Sequence, residues 1–307
     1  LFVRTGCLNL GPAEHPAIRG VLDSVARHRL PHARLSEGDV RARFPAFRPA
    51  SGDVGIYEDD AGYLRVEACA RAHARLALAR GATLRTRTTV DALAWGGDGV
   101  RATLGDGEVV EARRLVVAAG AWLASAPALR AIAEGLPPLV VERQVQLWFR
   151  PRSAELTRAP QLPAFVHFVA DRAYYGVPLG DPLPVPTSEP GLKVCRHHGG
   201  AAATADTLDR TVHGADEEMV REYLRTHLPH GDGPRVMARV CMYTNTPDQH
   251  FVVGRHPRLP QVVVLGGFSG HGYKMASVMG EIAADLVEDR ACPLDLSIFD
   301  PARFASA

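Results

Sequence analysis

Lysine is nearly absent from this chain, and arginine carries almost all of its positive charge. Lys and Arg together number 35 against 34 Asp and Glu, for a net charge of +1. With no excess of either sign, the sequence offers neither a basic surface for nucleic acid nor an acidic arm for solvent. Long apolar runs are missing too. Val262-Val263-Val264-Leu265 is the longest near a terminus, far below the ~20 residues that cross a bilayer. No charged segment followed by an apolar one opens the chain, so nothing marks export. Cys7, Cys69, Cys195, Cys241 and Cys292 are odd in number and widely spaced, with no Cys-x-x-Cys. That argues against a disulfide framework or a zinc site and fits a reducing cytoplasm better. Repeats and low-complexity tracts are also lacking. So is any Gly-x-Gly-x-x-Gly, the fingerprint of dinucleotide-binding domains. No methionine precedes Leu1, and the chain reads as a fragment or as the product of a lost start.

What remains is an ordinary globular composition. The chain has 307 residues, 46% hydrophobic and 22% charged, enough for two domains with cores of their own. Apolar positions at Ile18, Val21, Leu22, Val25 and Leu30 predict a helix within 14–30. Ser36 caps a short helix over 37–44, stopped by Pro45. A helical stripe runs from Val66 to Ala77 and closes at Gly81. Thr83 to Thr88 alternates as a strand. Val100–Leu104 and Val109–Ala112 flank Gly105-Asp106-Gly107 as a hairpin. Leu115 to Trp122 is an apolar strand running into a turn of small residues. That order suits the later part of a dinucleotide-binding domain.

Residues 137–243 read as a mostly antiparallel sheet. Its strands include Gln144–Phe149, Tyr174–Val177 and Leu192–His197. The Pro-rich stretch 181–190 is a loop, and 215–228 is a helix ended by Pro229. The chain closes with a buried strand over 262–265, a Gly-rich loop, and a helix from Met275 to Glu288.

The chemistry gathers in two segments. In the Gly-rich loop, Gly266, Gly267, Phe268, Gly270, His271 and Gly272 lie between a strand and a helix. Such a loop brings backbone N–H groups close to a ligand, and the helix N-terminus adds partial positive charge. The arrangement suits an anion or an electron-rich ring edge. Lys274 follows at the helix start, where the helix dipole opposes a cation, which points to another role. The second segment is Cys241-Met242-Tyr243-Thr244. Here Cys241 is a nucleophile whose ionisation a nearby cation would ease, and Arg239 lies two residues away on the same strand face. A buried free thiol is the plain alternative.

Lys193 and His197 share one face of an alternating strand. An edge lysine turned to water is the alternative for Lys193. His197 and His198, being adjacent, would point to opposite faces. Tyr175 sits in Tyr174-Tyr175-Gly176-Val177-Pro178, where packing alone would also account for the aromatics.

Taken together, Cys-Met-Tyr-Thr followed by the Gly-rich loop resembles the C-terminal half of the monomeric sarcosine oxidase and N-methyltryptophan oxidase family. The pattern leucine-lysine-x-glycine-x-histidine matches at Leu192, Lys193 and His197 and departs at Cys195. The resemblance covers the chain from Leu1 to about Phe304. It implies an α/β (α+β overall) fold with a Rossmann-like FAD domain lacking its first βαβ unit. An antiparallel-sheet substrate domain accompanies it, and both are discontinuous. The substrate domain is expected over 1–60 and 136–243, and the FAD domain over 61–135 and 244–307.

The resemblance further implies FAD bonded to Cys241 and cradled by Gly266, Gly267, Phe268, Gly270, His271, Gly272 and Lys274. It implies oxygen activation by Lys193, with His197 and Tyr175 at the amine. Lys274 and Tyr243 would bind substrate, Lys274 through its carboxylate. The implied reaction is oxidation of an N-methyl or other secondary amino acid, with O2 reduced to H2O2, by a cytoplasmic monomer. Two alternatives stand beside it. One is a flavin dehydrogenase that uses another acceptor. The other is an inactive, flavin-free fragment lacking the N-terminal FAD motif.

Overall fold

The computed structural model describes residues 1–96, 99–180 and 191–304. The predicted loop over 181–190 lies outside the described residues. The chain divides into two compact units, each assembled from separated segments. The first comprises Leu1–Cys69, Gln144–Gly199 and Arg210–Cys241. The second comprises Ala70–Arg143, Gly200–Asp209 and Met242–Ala307.

The first unit is built on a mixed, mainly antiparallel sheet. Its strands run in the order Val140–Phe149, Leu192–His197, Arg172–Val177, Ala164–Val169, Cys7–Pro12, Asp53–Glu58, Ala33–Leu35. Strand Arg235–Asn245 pairs with Val140–Phe149. One pair, Ala164–Val169 with Cys7–Pro12, is parallel. Period-2 alternation assigns the faces. Leu8, Leu10, Leu147, Phe149, Phe165, Tyr174, Leu192 and Val194 point into one core. Helix Gly214–His227 supplies Val220, Tyr223 and Leu224 to that same core. Helix Glu37–Arg43 carries the expected cap. Ser36 Oγ accepts from Asp39 N, and the Asp39 carboxylate accepts from Ser36 N.

A polar cluster is sealed under the Gly214–His227 helix. His167 is 1% exposed. Its Nδ1 lies 3.1 Å from the Tyr223 hydroxyl and its Nε2 3.4 Å from the Asp53 carboxylate. The tautomer with Nε2–H donating to Asp53 and the hydroxyl donating to Nδ1 satisfies all three groups. His227 packs edge-on to His167 at 4.9 Å between ring centroids. Burial, reinforced by His167, holds the His227 imidazole below the ordinary histidine value of 6.5, while the Arg48 carbonyl and Asp53 partly oppose it.

The neutral ring is therefore favoured in the fold, and unfolding takes up a proton between the two values. This contribution is complete above about pH 6.5 and is lost as pH falls below it. His256, buried against the Ile132 carbonyl in the second unit, has the same sign. The urea midpoint should fall on going from about pH 7.5 to about pH 5.5, and His227→Gln should fall less. An unchanged fall in that variant would remove His227 from this account.

In the second unit, Leu115–Val117 runs parallel to Leu259–Gly266, which pairs antiparallel with Val252–His256. Val117, Val252, Val262 and Val264 pack into one core with Leu123 and Ile132. Phe251, Val253 and Leu265 pack into another with Met279, Ile282 and Ala283 of helix Ala276–Val287. The hairpin forms as expected, between Gly99–Leu104 and Val109–Ala112, with Gly107 at φ 85°. The strand expected over Thr83–Thr88 does not form. Both faces of that segment are exposed, Arg87 turns left-handed at φ 57°, and strand structure begins at Val90. An alternating pattern without a face to bury carries no strand. Among the described residues no helix is long and apolar enough to cross a membrane.

Candidate active site

The sheet face opposite the first unit's core carries a polar and sulfur-rich row. On Leu192–His197 the residues Lys193, Cys195 and His197 share that face, because Leu192 and Val194 are committed to the core. On the neighbouring strand Trp148 stands directly opposite Lys193 in register. The Lys193 ammonium lies 5.1 Å from the Trp148 ring centroid and 5.5 Å from that of Tyr175. Two aromatic faces at that range hold a cation by their quadrupoles. Tyr175 also hydrogen-bonds Cys195, which is fully buried, and burial pushes the Cys195 thiol up. Tyr175 and His197 meet edge to face at 6.1 Å between centroids.

Cys241 joins the same group from strand Arg235–Asn245. Gln146 Nε2–H donates to its Sγ at 3.5 Å. Burial pushes the Cys241 thiol up, the Lys193 ammonium draws it back, Cys195 opposes, and the Gln146 hydrogen bond helps lower it. The sequence-based reading placed Arg239 as the cation beside this thiol. Arg239 is exposed and donates from Nη1 to the Ala238 carbonyl. The cation whose charge acts on the thiol is Lys193, and it comes from another strand.

His198 also departs from expectation. The strand ends at His197, and His198 turns left-handed at φ 60° beside Gly199 at φ 79°. Its ring comes back to 4.2 Å from that of His197 instead of crossing to the opposite face. Alternation governs side chains only while the backbone stays extended.

The second unit holds the Gly-rich loop. Gly266 ends strand Leu259–Gly266, and Gly267 and Gly270 take φ 58° and 78°. Ser269, fully buried, ties the loop down. Its N–H donates to the Thr244 carbonyl at 3.0 Å, its hydroxyl donates to the Gly267 carbonyl at 3.1 Å, and the same oxygen accepts from Thr246 N at 3.3 Å. His271 N donates to the Phe268 carbonyl at 3.0 Å. His271 and Phe268 both pack on Phe251. Tyr243, 9% exposed, lies with its ring under Gly270, where a Cβ would sit 2.4 Å from Cε2. Gly272 admits no Cβ for a similar reason, the Phe268 ring. Lys274 stands in a 3-10 turn over Tyr273–Met275, exposed, just before helix Ala276–Val287.

Sequence reasoning missed Trp148 and Gln146. Their signal was present in Gln144-Val145-Gln146-Leu147-Trp148-Phe149, where apolar Val145, Leu147 and Phe149 leave Gln146 and Trp148 on the opposite face.

Each group of residues suits a flavin chemically. A half-buried nucleophilic sulfur beside a fixed ammonium can bond a ring and stabilise electron-rich species. Positive-φ glycines before a helix N-terminus can present amides to the ring's electron-rich edge.

Comparison with known proteins bears on that fit. The family model described as FAD dependent oxidoreductase matches residues 1–286. The chain is 35% identical over 306 residues to the monomeric sarcosine oxidase of Streptomyces avermitilis, covering 99% of this chain and 77% of that one. It is 31% identical over 318 residues to the N-methyl-L-tryptophan oxidase of Escherichia coli O157:H7, covering 99% and 78%. Among solved structures, L-proline dehydrogenase from P. horikoshii superposes at TM-score 0.81 with 19% identity, covering 99% of this chain and 78% of that one. NikD, an amino acid oxidase of nikkomycin biosynthesis, superposes at 0.80 with 22% identity, covering 98% and 77%. These two likenesses establish the fold, and the sequence matches establish the kinship: the chain belongs to the FAD dependent oxidoreductase family.

Proposed function

We propose that this protein oxidises a secondary amine bearing a carboxylate, an N-methyl amino acid of the sarcosine type, and passes the electrons to dioxygen. The observation that carries the reading is the Lys193 ammonium set between Trp148 and Tyr175 on the face that also bears Cys241. When bound, FAD supplies the two-electron acceptor. The substrate loses a hydride from the carbon next to nitrogen and a proton from nitrogen, and water hydrolyses the resulting imine. His197 acts as the general acid–base group at the amine, with Tyr175. Lys274 pairs with the substrate carboxylate, and Tyr243 supports that end of the site. Lys193 stabilises negative charge as it builds on dioxygen, which leaves as H2O2.

In this reading the first unit is the substrate domain and the second the FAD domain, and the enzyme works as a cytoplasmic monomer. The Gly-rich loop from Gly266 to Gly272 would hold the flavin's pyrimidine edge. Cys241 Sγ would be the atom that bonds the flavin covalently, at its 8-methyl carbon. Forming that bond would remove one hydrogen from the thiol and one from the methyl group, with dioxygen as the final two-electron oxidant, released as H2O2.

Intact mass under denaturing conditions tests the covalent bond. The protein supplied with FAD should carry one flavin, mapped to the peptide holding Cys241, and Cys241→Ser should lose it. Flavin retained in the serine variant would move the attachment elsewhere. A peroxide assay with sarcosine tests the acceptor, and substrate turnover without peroxide would replace dioxygen by another carrier.

A further inference from the structure

We propose that Gln146 is the positioning residue of Cys241, holding its sulfur in place and favouring the thiolate that attacks the flavin; this rests on the attachment proposed above. The geometry is local to the first unit. Gln146 faces away from the core because its neighbours Val145 and Leu147 are packed there. Its Nε2–H reaches Cys241 Sγ at 3.5 Å across the pairing of Val140–Phe149 with Arg235–Asn245.

The surroundings make that one hydrogen bond matter. A half-buried thiol resists ionisation, because a thiolate loses water on entering the protein. Two groups favour ionisation, Lys193 by charge and Gln146 by donation. Cys195 on the lysine's own strand opposes it, and Arg239 on the cysteine's strand is exposed with its Nη1 turned to the Ala238 carbonyl. Lys193 supplies charge without direction, since its ammonium is held between two rings and its charge acts on both thiols. Gln146 supplies direction. An amide donor fixes where the sulfur lone pair points, and a hydrogen bond to a charged acceptor is stronger than to a neutral one.

Alkylation of the chain by iodoacetamide, followed peptide by peptide across pH, reads the thiol without any flavin. Gln146→Leu keeps the side chain's bulk and removes the donor. Its Cys241 alkylation should run roughly five- to tenfold slower at neutral pH, with the midpoint moved upward. Gln146→Glu replaces the donor by an anion and should move the midpoint further. Should the leucine variant fail to fold, Gln146→Asn, too short to reach the sulfur, repeats the test. The proposal fails if the variants keep the wild-type profile. It also fails if all reactive cysteines slow together without a shift in the Cys241 midpoint, the mark of a purely structural role. Flavin on Cys241 is scored separately by mass, so a wild-type protein that never acquires it would end the attachment reading while the alkylation profile still judges Gln146.

Discussion

Replacing Lys193 by methionine should slow reoxidation of the reduced, FAD-loaded enzyme by dioxygen about 10²–10³-fold, the usual cost of losing a group that stabilises developing charge. Reduction of the enzyme by amine should change by no more than about threefold, because Lys193 is assigned to the charge that builds on dioxygen, which takes no part in that half-reaction. Methionine matches lysine in length and lack of branching, so it can occupy the space between Trp148 and Tyr175 without opening a void. Stopped-flow spectroscopy of each half-reaction separates the two rates. Equal losses in both would sink the assignment and leave Lys193 with a role in binding or folding. Loss of the cation should also raise the Cys241 thiol further, since Lys193 is the positive charge that lowers it. The variant should therefore acquire covalent flavin more slowly.

The second large effect is structural. Gly270→Ala should destabilise the protein by roughly 2–5 kcal/mol, combining left-handed backbone strain with overpacking. The φ of 78° disfavours any Cβ, and this Cβ would lie 2.4 Å from Tyr243 Cε2. A loss of that size is a large part of ordinary domain stability, so flavin retention should fall with it. Gly280→Ala is the contrasting case. Gly280 sits in helix Ala276–Val287 with open space where its Cβ would be, and alanine there should stabilise by about 0.5–1 kcal/mol. Denaturation midpoints of the two variants should therefore move in opposite directions. A neutral Gly270→Ala would mean that the loop relaxes freely, and the rigid cradle would have to be abandoned. Combining Gly270→Ala with Tyr243→Ala should recover the packing part of the loss and leave the backbone part.

Family membership was legible in short motifs because their constraints are local. A glycine needed at a positive φ, an amide-rich turn before a helix, or a Ser36–Asp39 cap is written in a few consecutive residues. Strand Leu192–His197 has the bounds that its alternation predicts, since one of its faces is buried. Thr83–Thr88 shows the limit. It has the same alternation but no core to receive it, and burial, which a local pattern cannot guarantee, decided against a strand.

The local sequence could place Lys193 with His197 on one face and name Cys241 as a nucleophile. It could not say which cation the thiol meets. Arg239 is nearer along the chain, yet the charge that acts on the thiol is that of Lys193, because Val140–Phe149 pairs with the Cys241 strand on one side and with Leu192–His197 on the other. Trp148 and Gln146 enter by the same route, each from a position across a strand pair. The local code sets which face a side chain occupies. Pairing between segments about fifty to a hundred residues apart sets which side chains it meets, and that pairing depends on the burial of the whole sheet.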